Sequence, residues 1–177
     1  MTIMNLKEFI RSIPDYPKKG ILFRDITTLI KNEKAFAETI DQIVKNSKSF
    51  DFDKIAAIES RGFVFASAVS YVLKKPFIML RKKNKLPADV HSVDFELEYG
   101  TATIEIHKDS INENEKVLII DDLIATGGTA EAAANLVEMS KGNVAGFIFV
   151  INLFDLGGND QLKKKYKVES LISFPGH

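Results

Sequence analysis

The chain has 177 residues, of which 45% are hydrophobic and 27% charged, a composition that supports a packed core and excludes disordered or low-complexity classes. Its 24 basic and 24 acidic side chains give a formal net charge of zero, whereas binding to nucleic acid or a membrane surface through charge needs a basic excess. Neither partner is therefore expected. The absence of cysteine excludes disulfides and thiolate chemistry, and with no leader-like or membrane-length apolar run we expect a cytoplasmic protein.

Hydrophobic periodicity divides the chain into alternating helices and strands. Helical spacing of apolar residues predicts helices over residues 3–12, 33–47, 63–73, 129–140 and 160–166. The third of these helices is apolar on nearly all sides, which predicts that it is buried. Continuous apolar runs predict strands over residues 54–58, 76–80, 116–120, 144–151 and 170–173, and residues 103–106 alternate like an exposed strand.

Strands that are apolar along their whole length and alternate with helices are typical of a parallel sheet covered on both faces. We therefore predict an α/β fold with a central parallel sheet flanked by helices. Residues 81–101 are charged and contain few apolar runs, so they are predicted to form a long surface loop, which at that length is usually functional. Ligands of such sheets bind beyond the carboxyl ends of the strands, which here means segments 59–62, 81–90 and 121–129.

The strongest chemical signal is the segment 117–129, VLIIDDLIATGGT. A buried strand delivers Asp121 and Asp122, and a glycine turn then leads directly into a helix. Open backbone N–H groups at a helix N-terminus bind phosphate, and paired carboxylates can accept hydrogen bonds from a diol or hold a Mg²⁺-bound sugar phosphate. No lysine follows the glycines, which excludes a Walker-type triphosphate site. A ribose 5-phosphate suits both halves, while the plainer alternative is an acidic turn with a threonine cap.

This segment resembles the phosphoribosyl-diphosphate-binding motif of the type I phosphoribosyltransferase family. Further segments, in the family's order, resemble its adenine branch: PKKGILFRDITT at 17–28, IESRGF at 58–63, and RKKNKLP at 81–87 followed by LEYG at 97–100. Together they extend the resemblance over roughly residues 9–174. The sequence departs from the family pattern at Asn84, where glycine is usual.

The resemblance implies a type I phosphoribosyltransferase-like fold in a single domain, 1–177, with residues 1–30 contributing a small hood and residues 81–100 a flexible catalytic loop. It implies a homodimer that converts adenine and 5-phospho-α-D-ribose 1-diphosphate into AMP and diphosphate. Mg²⁺ is the implied cofactor, held mainly through substrate and water and not directly by the protein. Two alternatives stay open: a transferase for xanthine or orotate, and a regulator that senses a phosphoribosyl ligand without turning it over.

The resemblance also implies roles for individual residues. The ribose 5-phosphate is expected on Asp121, Asp122, Ala125, Thr126, Gly127, Gly128 and Thr129, and the diphosphate on Glu59, Ser60, Arg61, Arg81 and Lys85. Adenine is expected to stack on an aromatic ring and to be read by backbone groups, with Leu22, Phe23, Arg24 and Tyr99 as the candidates. The expected catalytic residues are Glu98, Arg61 and Arg81, with Arg81 reaching the site of the neighbouring subunit.

From the residues alone, each of these segments has a plainer interpretation. The segment 59–62 is also typical of a surface turn with an ion-paired arginine, and the cations of 81–85 of a solvated loop. Phe23 could be a core residue beside an exposed Arg24, and Glu98 a solvated acid. The core is predicted to include Phe63, Phe65, Phe147, Phe149 and Phe154.

Overall fold

A computed structural model describes residues 4–97 and 100–177. Its helices are a 3-10 helix at Leu6–Phe9, α1 (Thr27–Ile30), α2 (Glu33–Ser47), α3 (Arg61–Leu73), α4 (Gly128–Met139) and α5 (Gly158–Lys163). Its strands are β1 (Arg11–Pro14), β2 (Leu22–Asp25), β3 (Lys54–Ile58), β4 (Phe77–Lys82), β5 (Val90–Leu97), β6 (Gly100–His107), β7 (Lys116–Ile124), β8 (Asn143–Leu153) and β9 (Val168–Phe174). No helix in the described ranges is long and apolar enough to span a bilayer.

Seven strands form the central sheet, in the order β5-β6-β4-β3-β7-β8-β9. The pairs from β4 to β9 are parallel, whereas β6 pairs antiparallel with both β4 and β5. The predicted α/β fold with a central parallel sheet and flanking helices is confirmed. The small sheet of β1 and β2 is separate and antiparallel.

The core has one layer on each face of the sheet, because successive side chains of a strand point to opposite faces. Leu118 and Ile120 of β7 belong to the layer that contains Ile43 of α2 and Phe65 of α3. Ile119, between them, belongs to the layer covered by α4. A strand buried on both faces must be apolar at every position, which is why β7 has a continuous apolar run.

Two predicted elements are wrong. In the described part of 3–12, the 3-10 helix at Leu6–Phe9 is followed by strand β1, whose pairing with β2 overrides the helical spacing of the apolar residues. The predicted surface loop 81–101 consists largely of the end of β4, strand β5 and the start of β6. Val93 and Phe95 pack on the α4 layer, and charged residues alternate with them on the outer face. Because only one face is buried, the segment has no continuous apolar run that would predict a strand.

Some burial predictions are also wrong. Helix α3 is not buried on all sides, since Tyr71 is 75% and Val72 50% exposed. Phe154, predicted in the core, is 55% exposed because it follows the end of β8. Residues 103–106 belong to β6 as predicted, but Ile104, Glu105 and Ile106 are buried.

Candidate active site

A cavity of about 460 Å³ lies at the carboxyl edge of the parallel sheet, where β3 and β7 end side by side. It is lined by Ile58, Glu59, Ser60, Arg61, Lys82, residues 121–130 and Phe149. The structure therefore brings together two predicted groups that lie some sixty residues apart in the chain: the 59–61 segment and the strand-turn-helix segment that begins at Asp121. This is the position expected for a ligand in such a sheet.

Residues 125–129, which we call the phosphate turn, connect β7 to α4. Gly127 caps the helix with φ +93°, a left-handed conformation that favours glycine. A Cβ atom at Gly127 would also lie 3.1 Å from the Cα atom of Gly158. The glycine thus leaves the backbone N–H groups at the start of a 12-residue helix open to the cavity, as phosphate binding requires.

Gly158 contacts the phosphate turn. The sequence did not identify it as a site residue. Its N–H donates to the carbonyl oxygen of Ala125 at 3.1 Å. A Cβ atom on Gly158 would lie 2.4 Å from that oxygen, so only glycine permits this approach of α5. The Gly157-Gly158 pair that begins a helix is the sequence signal that could have indicated the contact.

Asp121 and Asp122 lie within the last part of β7, since the strand continues past its predicted end to Ile124. Both are buried, and Asp121 accepts a hydrogen bond from the Asp122 N–H at 2.9 Å. Burial, followed by the negative charge of Asp122, raises the pKa of Asp121 well above its ordinary value. Two negative charges on this acid pair are therefore unfavourable until a hydroxyl group or a cation compensates them.

Arg61 supplies the positive charge nearest the acid pair. It begins α3, and its Nε lies 2.7 Å from the Asp122 carboxylate, with half of the arginine side chain exposed to the cavity. The next residue, Gly62, lets α3 approach, because a Cβ atom there would lie 2.7 Å from Asp121 Oδ1. Arg61 can thus bind an anion in the cavity while it stays paired with Asp122.

Glu59 and Arg81 are paired with each other. The Glu59 carboxylate accepts from the Lys82 N–H at 2.9 Å and from Arg81 Nε at 3.3 Å, and these bonds lower the pKa of Glu59. Arg81 also donates to the carbonyl oxygen of Lys85 at 3.0 Å. Lys82 lines the cavity, a position not predicted for it, whereas Lys85 is not among the lining residues.

A buried carboxylate that the sequence did not reveal, Glu105, underlies the turn after β4. It accepts from the Asn84 N–H at 2.9 Å and from the Ser92 hydroxyl at 3.2 Å. Asn84 has φ +64°, in the left-handed region that glycine and asparagine tolerate, so the departure from the family pattern preserves the turn. Glu105 thereby fixes the base of the segment that carries Arg81 and Lys85.

The β1–β2 sheet lies within residues 1–30, the segment expected to contribute the hood, and is called the hood below. The Phe23 ring packs edge-on against Tyr16, with 5.2 Å between ring centroids, and lies 5.6 Å from the Arg61 guanidinium carbon. Phe23 is therefore beside the cavity, and Leu22 is half-buried on the same strand. Arg24 is buried, so its interpretation as an exposed arginine is wrong.

A match to the Phosphoribosyl transferase domain family covers residues 25–175. The chain belongs to the phosphoribosyltransferase family. It is 77% identical to adenine phosphoribosyltransferase of Pelagibacter ubique (strain HTCC1062), with 98% of this chain and 100% of that protein covered. The adenine phosphoribosyltransferase of Pelodictyon phaeoclathratiforme is 54% identical over 98% of this chain and 99% of its own length.

Solved structures with the same fold agree with this assignment. The crystal structure of adenine phosphoribosyltransferase from Thermoanaerobacter pseudethanolicus superposes with a TM-score of 0.93 at 47% identity, covering 98% of this chain and 100% of that one. The Saccharomyces cerevisiae enzyme, complexed with an imino-altritol bisphosphate and adenine, gives 0.86 at 35% identity over 94% and 96% of the two chains. This phosphoribosyltransferase is therefore a transferase with the type I fold.

Two residues predicted in its site, Glu98 and Tyr99, lie outside the described residues. Their neighbours Leu97 and Gly100 end β5 and begin β6. Glu96, two positions earlier, lies close to the phosphate turn: a Cβ atom on Gly128 would be 3.0 Å from its carbonyl oxygen. The end of β5 thus lies beside the turn.

Proposed function

We propose that this phosphoribosyltransferase converts adenine and 5-phospho-α-D-ribose 1-diphosphate into AMP and diphosphate, a step of purine salvage. The observation that carries the proposal is that the phosphate turn, the acid pair and Arg61 line one cavity, with the Phe23 ring 5.6 Å from the Arg61 guanidinium carbon. The full-length similarity to proteins named adenine phosphoribosyltransferase supports adenine as the base.

The phosphate turn and the acid pair hold the sugar. We propose that backbone N–H groups of 126–129, with the hydroxyl groups of Thr126 and Thr129, bind the 5-phosphate. Asp121 and Asp122 accept the ribose hydroxyl groups and favour the positive, oxocarbenium-like ring that forms as the diphosphate leaves. Binding energy from the remote phosphate then positions the reacting carbon.

The diphosphate end of the substrate is held by positive charge. Arg61 and Lys82 line the cavity of the same chain, and Arg81 would come from the neighbouring subunit. The buried acid pair adds negative charge beside the sugar, which fits a Mg²⁺ ion that takes its ligands mainly from substrate and water and not directly from the protein. When bound, Mg²⁺ neutralises charge that develops on the leaving group.

Glu98 is the proposed group for the proton of adenine. Bond formation leaves the imidazole ring of the base with one proton too many, and a carboxylate nearby can take or hold it. Closing of residues 81–100 over the site would exclude water, which otherwise hydrolyses the activated sugar. Tyr99, beside Glu98, and the backbone of Leu22 and Arg24 complete the proposed base site, with Phe23 stacking on the ring.

A homodimer in the cytoplasm is part of the proposal, with the chain acting as one domain. Arg81 would then serve the neighbouring subunit, and its pairing with Glu59 would hold it at the edge of the β4 strand. Mixing inactive Arg81→Ala chains with inactive Asp121→Asn/Asp122→Asn chains should restore activity, because a heterodimer has one undamaged site. No recovery despite demonstrated subunit exchange would place Arg81 in its own subunit's site.

A panel of free bases tests the function directly. Purified protein, Mg²⁺ and 5-phospho-α-D-ribose 1-diphosphate are incubated with adenine, hypoxanthine, guanine, xanthine or orotate, and nucleotides are separated by chromatography. AMP from adenine, at a rate well above that of any other product, is the expected result. Turnover of another base in preference to adenine would reassign the substrate, and binding of the sugar phosphate without turnover would favour the regulator.

A further inference from the structure

The side chain of Arg24 makes contacts that reading of the base by its backbone does not require. It points to the opposite face of β2 from Phe23, because neighbouring residues of a strand alternate. Its Nη1 donates to the Ser12 hydroxyl at 2.5 Å, and its Nη2 donates to the Pro175 carbonyl oxygen at 2.9 Å. The guanidinium carbon lies 4.5 Å from the centroid of the Phe174 ring. Arg24 thus joins both strands of the hood to the segment after β9.

That segment is held from a second side by Asp155. The carboxylate of Asp155 accepts from the Gly176 N–H at 2.6 Å, and its charge opposes the effect of burial, which lowers the pKa of Arg24. Asp155 lies in the loop that connects β8 to α5, and α5 begins at Gly158, against the phosphate turn. Pro175 is therefore bound by the hood, and Gly176 by the loop between β8 and α5.

Stability alone does not explain an arginine at this position. Arg24 is only 9% exposed, and its Nε is buried without a hydrogen-bond partner among residues 4–97 and 100–177. Burying a guanidinium group costs free energy, and an apolar side chain of similar length would often serve a core as well or better. The two hydrogen bonds to Ser12 and Pro175 fix the orientation of the contacting segments, which an apolar residue cannot do.

We propose that Arg24 is a positioning residue for the base, acting through the segment Phe174–Gly176. By fixing β2 to that segment, the Arg24 side chain sets the height and tilt of the Phe23 ring and of the backbone groups at Leu22 and Arg24 over the cavity. The inference rests on the proposed function, since it assumes that adenine lies under the hood. It assigns residues 174–176, which do not line the cavity, to the base half of the site and not to the sugar half.

Comparing AMP with ribose 5-phosphate separates the two halves, because the ligands share the sugar phosphate and differ by the base. Dissociation constants are measured by calorimetry for the wild type, Arg24→Met and Arg24→Lys. Arg24→Met should weaken the binding of AMP about tenfold and raise the KM of adenine by a similar factor. The affinity for ribose 5-phosphate and the KM of the activated sugar should be nearly unchanged. Arg24→Lys keeps the charge over Phe174 but loses the fork, and should recover part of the loss.

A second variant and a matched control complete the experiment. Asp155→Ala acts on the same segment from an exposed position, so it tests the inference even if Arg24→Met does not fold, and it should weaken AMP selectively by a smaller factor. Lys7→Met removes another cation near the Phe174 ring, 5.4 Å from its centroid on an exposed side chain, and should change neither constant.

The inference is overturned if the Arg24 and Asp155 variants weaken AMP and ribose 5-phosphate equally, or weaken neither. An unchanged ratio of the two constants in Arg24→Lys and Asp155→Ala, with folded protein, has the same meaning. A wild-type chain that binds ribose 5-phosphate but makes no AMP from adenine would overturn the proposed function itself, and that result is visible before any variant is made.

Discussion

The charged side chains at the two ends of strands β3 and β7 differ in how far they are compensated. At the amino end, Lys54 lies 2.7 Å from Glu115, and Lys116 is ion-paired with Asp51. At the carboxyl end, Asp122 is paired with Arg61, but Asp121 is buried beside Asp122, a group of the same charge. The strands are the same, so the difference reflects what each end is for.

The titration behaviour of the two ends expresses this difference. Hydrogen bonds from Lys54 and Asn112 lower the pKa of Glu115 from 4.5 to about 2, so its charge is stabilised by folding. Burial and the charge of Asp122 raise the pKa of Asp121, so its charge is destabilised by folding. Unfavourable charges that persist in a fold are typical of binding sites, where a ligand later compensates them. One end therefore serves stability, and the other gives up stability for binding.

The largest loss of ligand affinity is expected when a side chain is added at Gly127 in the phosphate turn. Gly127→Val puts a β-branched residue at φ +93° and a Cβ atom 3.1 Å from Gly158, while it fills the space where phosphate would meet the N–H groups. Strain and lost hydrogen bonds together should weaken ribose 5-phosphate and AMP about 10³-fold, measured by calorimetry. Thr129→Ala should weaken both ligands in the same direction by much less.

Gly20→Val is the matched control for this change. Gly20 has a similar φ of +89°, and a Cβ atom there meets nothing within 4 Å among the described residues. It should lower the melting temperature through strain but leave the affinity for ribose 5-phosphate intact. Unchanged AMP affinity in Gly127→Val would refute the assignment of residues 125–129 to the phosphate.

The next largest effect is expected at Glu98, which belongs to neither end of the two strands. Glu98→Gln keeps the size and hydrogen bonding of the side chain but removes the base, so kcat should fall roughly 10²-fold with little change in the KM of the activated sugar. Steady-state rates at saturating substrates measure it, with Glu96→Gln as the neighbouring control. A near-normal kcat, with chemistry shown to be rate-limiting, would return Glu98 to a solvated acid.

The carboxyl end was predictable because its chemistry is contiguous in the sequence. The segment from Val117 to Thr129 contains strand, acids, turn and helix start in order, although the strand extends past its predicted end to Ile124. The same logic placed the 59–62 segment at the neighbouring strand end. Parallel pairing of β3 with β7 then brings both segments into one cavity without further assumptions.

The rest could not be read because it depends on contacts between distant residues. The β5–β6 hairpin alternates apolar and charged side chains, which resembles a loop until α4 is known to cover one face. The residues around Arg24 do not indicate its contact with Pro175, which lies 151 residues away. The Gly157-Gly158 pair indicates a close approach, but not that the phosphate turn is the partner. Local patterns therefore indicate elements and motifs, whereas supporting contacts emerge only from the fold.

Removing the charge of Asp121 should raise stability and lower activity. Asp121→Asn keeps the oxygen that accepts from the Asp122 N–H but removes a buried charge, so kcat/KM should fall about tenfold, as for the loss of one charged hydrogen bond. The melting temperature should rise by about 2–4 °C at pH 7. Because folding raises the pKa of Asp121, the gain should grow as the pH rises above 3.8 and vanish in acid. Lower stability at pH 7 would contradict the comparison.

The smallest effect is expected at the amino end, where Glu115→Gln should change stability and leave activity alone. The carboxylate accepts from the Asn112 N–H at 2.7 Å and pairs with Lys54, and its side chain is 22% exposed, so its loss should lower the melting temperature by about 2–4 °C at pH 7. A lowered folded pKa stabilises the fold fully above pH 4.5 and no longer near pH 2, so the difference from wild type should disappear over that interval. Scanning calorimetry at several pH values measures it, with the exposed neighbour Glu113→Gln as control. An activity loss without a stability loss would mean that this end also serves the reaction, because a purely stabilising ion pair lies too far from the cavity to alter kcat.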